Sequence, residues 1–193
     1  MKKSEKLDKL KQECLNCYKC ELGKTRKNIV FADGNPDSAQ YILVGEAPGA
    51  NEDETGTPFV GRAGKLLDEF LVKAGISRKD DLYIINTVKC RPPENRVPKD
   101  EEKSECRRYI EEQINTVQPK AIILCGATAL KSFYPTKTPI SKIRGEWLKI
   151  NVGNEEYYAM AIFHPSFLLR NHSTEEGKPR WLMLQDLIKI KSR

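Results

Sequence analysis

Residues 41–75 read YILVGEAPGANEDETGTPFVGRAGKLLDEFLVKAG, and three textures follow one another along them. Tyr41-Ile42-Leu43-Val44 is a short apolar run of the kind buried in a parallel sheet. Ala63, Leu66, Leu67, Phe70, Leu71 and Ala74 share one face of a helix, and Gly75 is placed to cap it. Between the two, residues 45–61 carry four glycines, two prolines and a run of acids. A connection of this length inside a compact domain is usually a functional one. In open α/β sheets the ligand lies beyond the carboxyl ends of the strands, which is where this loop begins. The alternative is a long solvated connection.

The same strand–helix alternation continues on either side. Apolar runs at 82–88 (LYIINTV) and 121–125 (AIILC) predict two further core strands. Asp100, Glu101 and Glu102 open a helix whose apolar face is Cys106, Tyr109, Ile110, Ile114 and Val117, acids suiting the positive end of the helix dipole. A short helix runs to about Phe133, strands at 147–152 and 157–163 flank a Gly153-Asn154 turn, and a helix over roughly 180–190 closes the chain. Upstream, residues 4–13 suit a charged helix with Leu7 and Leu10 on one side. Ile29-Val30-Phe31 suits a short edge strand ended by the turn signal Asp33-Gly34-Asn35-Pro36. Alternating strands and helices predict one domain, residues 1–193, with a mainly parallel sheet covered by helices on both faces. The loops at 45–61, 89–98 and 164–172 all follow strands, so they should gather at one sheet edge and form one site.

Composition narrows the classes. With 39% hydrophobic and 31% charged residues, the chain is globular rather than disordered. No apolar run approaches the roughly 20 residues of a bilayer helix, and MKKSEKLDKLKQE has no apolar core behind its lysines, so a cytoplasmic protein without a membrane partner is expected. Thirty-three basic against 27 acidic side chains give a net charge of +6, which mildly favours a polyanionic partner. Six cysteines in a reducing compartment do not predict a disulfide framework.

The cysteine spacing is informative. Cys17 and Cys20 form a C-x-x-C pair, and Cys90 and Cys106 lie far along the chain. Two thiolates on a tight turn with two from distant elements can enclose a zinc ion or an iron–sulfur cluster. A zinc ribbon more often shows a second close pair, which leans the reading towards a cluster. Cys90 and Cys106 also suit ordinary buried thiols. Cys125 ends a core strand as a packing residue, and Cys14 is a spare. Other chemistry is sparse. His164 ends a strand ahead of Pro165, as a catalytic group or a structural one, while His172 sits in a charged loop and reads as solvated. Asn86 is an amide inside an otherwise apolar strand, able to read the edge of a planar base or to hold the neighbouring loop. Phe59 can stack on a base or plug the core. Phe167-Leu168-Leu169-Arg170 is either an apolar wedge with a phosphate-binding cation or a helical turn packed inward.

Taken together, these segments resemble the family 4 uracil-DNA glycosylases, repair enzymes that carry an iron–sulfur cluster. The motifs are Cys17-x-x-Cys20-x-Leu22, Gly45-Glu46-Ala47-Pro48-Gly49 with Glu52-Asp53, and Gly56-x-Pro58-Phe59-Val60-Gly61-Arg62-Ala63-Gly64. They continue with Asn86-x-x-Lys89-Cys90-Arg91-Pro92-Pro93-x-Asn95-Arg96-x-Pro98, Cys106, and His164-Pro165-Ser166-x-Leu168-Leu169-Arg170. They run from residue 17 to 170 in the family's order.

The resemblance implies a three-layer α/β/α sandwich around a mainly parallel four-stranded sheet, and an enzyme that flips uracil out of DNA and hydrolyses its N-glycosidic bond. Cys17, Cys20, Cys90 and Cys106 would hold a structural 4Fe-4S cluster. Phe59 would stack on the base, Asn86 would bind its O4 and N3 edge, and His164 would donate to O2. Gly45, Glu46 and Ala47 would line the uracil pocket. Ala47 stands where other glycosylase families carry a water-activating side chain, leaving Glu46 and Asn95 as candidates for orienting the water. Leu168 or Leu169 would fill the gap in the stack, with Arg170 and the Lys89–Arg96 loop, including Arg91, on phosphates. Uracil-containing DNA, single- or double-stranded, is the implied partner, a sliding clamp is a candidate protein partner, and a monomer is expected. Two departures from the pattern stand out: Ala32-Asp33-Gly34 replaces a turn richer in glycine and glutamate, and Cys14 is extra. The competing reading is a catalytically silent DNA-binding module of the same fold, and a zinc hydrolase with a structural cysteine site is a third.

Overall fold

The computed structural model describes residues 1–193. Four strands form its parallel heart: β2 (Tyr41–Gly45), β3 (Leu82–Asn86), β4 (Ala121–Cys125) and β6 (Glu155–Ile162). Antiparallel strands β1 (Asp33–Gly34) and β5 (Trp147–Val152) close the two edges, so the sheet has six strands in the order β1-β3-β2-β4-β6-β5 rather than the four expected. The difference lies at the rims. The β5–β6 hairpin turns at Gly153, whose φ of +61° suits a residue without Cβ.

Side-chain alternation explains the two helical layers. Ile42, Val44, Tyr83, Ile85, Ile122, Leu124, Ala159 and Ala161 point to one face of the sheet. There they meet α1 (Lys3–Leu15), α5 (Asp100–Val117) and α6 (Ala127–Phe133). Their neighbours Tyr41, Leu43, Leu82, Ile84, Ala121, Ile123, Met160 and Ile162 point to the other face. That face is covered by α4 (Arg62–Lys73), the single turn α8 (Pro165–Leu168) and α9 (Pro179–Lys191). Strands buried on both sides are apolar throughout, as parallel strands must be. Three further short helices, α2 (Leu22–Thr25), α3 (Ala50–Thr55) and α7 (Ile140–Ile143), lie in connections.

Two expectations shift. Ile29-Val30-Phe31 is not an edge strand. All three residues are buried; the Val30 N–H makes a single backbone bond, to the Lys89 carbonyl at 2.8 Å, while the Phe31 carbonyl goes to the Lys89 and Gln113 side chains at 3.0 and 3.1 Å, so no ladder forms. The edge strand is instead Asp33–Gly34, within the expected turn, where Gly34 at φ +99° lies too close to the Leu82 carbonyl for any Cβ. The long loop at 45–61 also contains α3, with Glu52 and Asp53 in its first turn.

Ile123, fully buried on the central strand β4, supports the sheet against α4 and α9. Ile123→Ala is expected to lower the unfolding free energy by about 2–5 kcal/mol in urea titration, with the denaturant slope unchanged.

Candidate active site

Gly45 and Asn86 end β2 and β3 directly opposite one another. A Cβ on Gly45 would lie 2.4 Å from Asn86 Oδ1 and 2.6 Å from the Phe59 ring. The bare glycine therefore lets ring and amide share one space. The rings of Phe59 and His164 have centroids 5.9 Å apart. All three side chains line a hollow of about 270 Å³ together with Ala47, Gly49, Glu52, Ala63, Gly64, Asn95 and Ser166. The loops after β2, β3 and β6 thus meet at the carboxyl edge of the sheet. Asn86 is 2% exposed, yet its amide makes no hydrogen bond within the protein and faces the hollow. A buried amide in that state is prepared for a polar ligand.

His164 caps α8. Its Nδ1 accepts from the Ser166 backbone N–H at 3.2 Å and lies 2.7 Å from the Ser166 hydroxyl. Since the backbone N–H can only donate, the neutral ring carries its proton on Nε2, as a donor. Burial holds the imidazole below its ordinary value, with Glu46 and Glu52 pulling the other way.

Glu52 organises the loop. Oε2 accepts from the Gly49 amide at 3.1 Å, and Oε1 accepts from the Val60 and Gly61 amides, both at 3.0 Å. One carboxylate thus ties the start of the loop to its end. Buried Asp53 does the same for a second segment by accepting from the Lys27 and Asn28 amides at 2.9 and 3.2 Å.

The remaining expected site residues divide. Ala47 and Asn95 line the hollow, but the Asn95 carbonyl oxygen already accepts from Arg91 Nε at 2.8 Å. The Glu46 carboxylate turns towards α6, where one oxygen accepts from the Thr128 hydroxyl. Arg170 and Phe167 are exposed beside the mouth and Leu169 is half-buried, but Leu168 is fully buried in the core and is no wedge. Arg96 is not a free cation either: both its terminal nitrogens bind the buried Glu102, at 2.9 and 2.6 Å, fastening the 91–98 loop to α5. Lys89 is 1% exposed, so it cannot reach a phosphate; burial lowers its pKa to about 8. Ser166 and Thr128 had no signal in the sequence beyond their neighbours.

A second cavity gathers the cysteines. Cys14, Cys17, Cys20, Cys90 and Cys106 line it with Arg26, Lys89 and Tyr109. Arg26 Nη1 approaches Cys90 Sγ at 3.7 Å while its guanidinium covers the Tyr18 ring. No three of the chain's cysteine, histidine or acidic side chains converge as the ligands of a single ion. Cys125 is buried on the opposite face of the sheet, as a packing residue.

Residues 31–188 match the uracil DNA glycosylase superfamily. The chain belongs to that superfamily. Among curated proteins it is 43% identical to the type-4 uracil-DNA glycosylase of Thermotoga maritima over 98% of this chain and 95% of that protein. It is 40% identical to the type-4 uracil-DNA glycosylase of Archaeoglobus fulgidus, covering 86% of this chain and 84% of that one. A type-4 uracil-DNA glycosylase of Sulfurisphaera tokodaii is 37% identical over 86% of this chain and 77% of its own. These relatives place the chain among the type-4 enzymes. No helix is long and apolar enough to cross a membrane.

Glu52→Ala removes the acceptor of three loop amides. It is expected to cost about 1–3 kcal/mol of stability in urea titration, with faster amide exchange at Val60 and Gly61 than elsewhere in the sheet.

Proposed function

We propose that the chain removes uracil from DNA by gripping the flipped base between Phe59, Asn86 and His164. It is a uracil-DNA glycosylase, hydrolysing the N-glycosidic bond and leaving an abasic site. The observation that carries the residue assignment is the unpartnered Asn86 amide in a hollow shared with the Phe59 and His164 rings.

A base cannot be attacked inside the stack, so it is first turned out of the helix. Phe59 then stacks on its face. Asn86 offers an acceptor to N3–H and a donor to O4; cytosine, with donor and acceptor exchanged, leaves that amide mispaired. As the glycosidic bond breaks, the sugar gains oxocarbenium character and the departing uracil becomes an anion. A neutral His164 donating from Nε2 to O2 stabilises that charge without a proton having to be lost first. For the attacking water, Glu46 and Asn95 are the candidates: Asn95 lines the hollow but its Oδ1 is committed to Arg91, whereas Glu46 turns towards α6 with one carboxylate oxygen free of protein partners. Phosphate contacts fall to Arg170 and Arg91, with Leu169 beside the mouth. Arg96 serves the shape of the loop instead. In the same reading the enzyme works as a cytoplasmic monomer, with a sliding clamp as the candidate partner.

The cysteine cavity fits a 4Fe-4S cluster. Cys17, Cys20, Cys90 and Cys106 come from three separate parts of the chain to one cavity lined also by Lys19, Arg26 and Lys89, a thiolate-rich, cation-flanked setting that suits an anionic iron–sulfur cluster. Once held, such a cluster would tie the N-terminal segment and the loop after β3 to α5, away from the hollow.

A uracil-bearing oligonucleotide is expected to become alkali-labile after treatment while a thymine control stays whole. His164→Ala should slow this about 100- to 1000-fold with the fold retained; an unchanged rate removes His164 from the mechanism. Because burial lowers the His164 pKa, the ring stays neutral through pH 7, so the rate should be flat from about 7 to 8 and fall only on the acid side of about 6.5. Protein purified without oxygen should be brown with about four irons per chain, and Cys106→Ser should lose them. Colourless protein with one zinc would overturn the cluster.

A further inference from the structure

Phe59 holds a backbone conformation that a phenylalanine rarely adopts. Its φ is +52°, in the left-handed region. Such a residue persists only when its surroundings over-determine it. Around Phe59 they do. The Val60 and Gly61 amides are held by Glu52, and Gly64 packs so closely on the Phe59 carbonyl that a Cβ would lie 2.0 Å from its oxygen. The remaining restraint comes from outside the loop. Arg78, between α4 and β3, donates Nη1–H to the Phe59 carbonyl at 2.9 Å and Nη2–H to the Pro58 carbonyl at 2.7 Å.

The geometry points to Arg78 as a positioning residue for uracil excision, acting through Phe59. The guanidinium is itself fixed. Its Nε and Nη2 each reach Asp33 Oδ2 at 2.9 Å, and Nη1 reaches Asp68 Oδ1 at 2.8 Å. Every nitrogen of the guanidinium is therefore engaged inside the protein, by two carbonyls and two carboxylates. That excludes a phosphate-binding role for this partly buried cation. It also gives the Ala32-Asp33-Gly34 stretch a purpose, because Asp33 on the edge strand sets one side of the fork. Two successive carbonyls captured by one planar group fix the peptide on either side of Phe59, and so the direction in which the ring stands in the hollow. Lysine, with three donors on a flexible stem, cannot reproduce that fork.

The inference rests on Phe59 lying against the base, as proposed above, and the test separates the two. Arg78→Lys is expected to lower single-turnover excision of uracil about 10- to 100-fold, the scale on which small misplacements act. In a Phe59→Ala background the same change should cost less than about threefold, because the ring it orients is gone. Additive losses, or an unchanged rate, would overturn the assignment. With 4-fluorophenylalanine placed at position 59, Arg78→Lys should shift or broaden the fluorine resonance; an unmoved line defeats the clamp whatever the activity. If Phe59→Ala leaves excision intact, the stacking role falls while the resonance still decides the clamp. Should Arg78→Lys not fold, Asp68→Asn loosens the same guanidinium and should move the resonance less but detectably; no movement there overturns the proposal.

Discussion

The structure depends on two adjacent parallel strands ending level with each other. Gly45 closes β2 and Asn86 closes β3 at the same height, so a residue with no side chain faces one with an amide. Parallel pairing puts both of the following loops on one edge, and the third arrives from β6 two positions along the sheet. The missing side chain at position 45 leaves room for the Asn86 amide and the Phe59 ring that line the hollow. Phe59 enters it from the far end of a loop that Glu52 has folded back upon itself. His164 enters from a one-turn helix whose cap is the imidazole itself.

This arrangement separates rigidity from chemistry. Groups aimed into the hollow have few partners in the protein, while the groups behind them have many. Asn86 has none, and the Nε2 of His164 is left as a free donor because Nδ1 is occupied by Ser166. Behind them, Glu52, Asp53 and Arg78 spend their hydrogen bonds on backbone, which is how a segment rich in glycine and proline is held in one conformation. A site of this kind loses little to reorganisation when charge develops on the leaving group, since its donors are already directed.

Much of this was legible in the sequence, and the failures have a common cause. The four parallel strands were readable because burial on both faces makes them continuously apolar, and their helices because an apolar stripe recurs at the helical period. β1 was not, because two residues carry no periodicity. Asn86 and His164 were picked out as polar exceptions after apolar runs and Phe59 as the aromatic at the end of the long loop, and the structure brings the three to one hollow. Lys89, Arg96 and Leu168 were misplaced for a different reason: a residue type does not say what partner it has. Arg96 looks like a DNA-facing cation until Glu102 is seen beneath it, and Lys89 looks the same until it is found inside the core with its ammonium on the Phe31 carbonyl. Arg78 drew no notice because two of its partners are backbone carbonyls, which have no signature in a sequence, and the other two, Asp33 and Asp68, lie far from it along the chain.

The net charge of +6 therefore says little about how this protein meets DNA. Three cations, Arg78, Arg96 and Lys89, are consumed inside the protein, each neutralised by carboxylates or held by carbonyls. Arg170 stands exposed beside the mouth, and Arg91 keeps its terminal nitrogens while Nε steadies Asn95. Exposed cations outside the hollow and the ring, amide and imidazole inside it can divide the work physically. Phosphate attraction is long-ranged and indifferent to sequence, so it can bring the strand to the edge of the sheet. In the proposed reading, selection then falls to short-range contacts: a ring that accepts any planar base, and an amide and an imidazole whose donors and acceptors suit uracil. An enzyme that must sample many bases and act on one benefits from keeping that discrimination inside the hollow, apart from the long-range attraction.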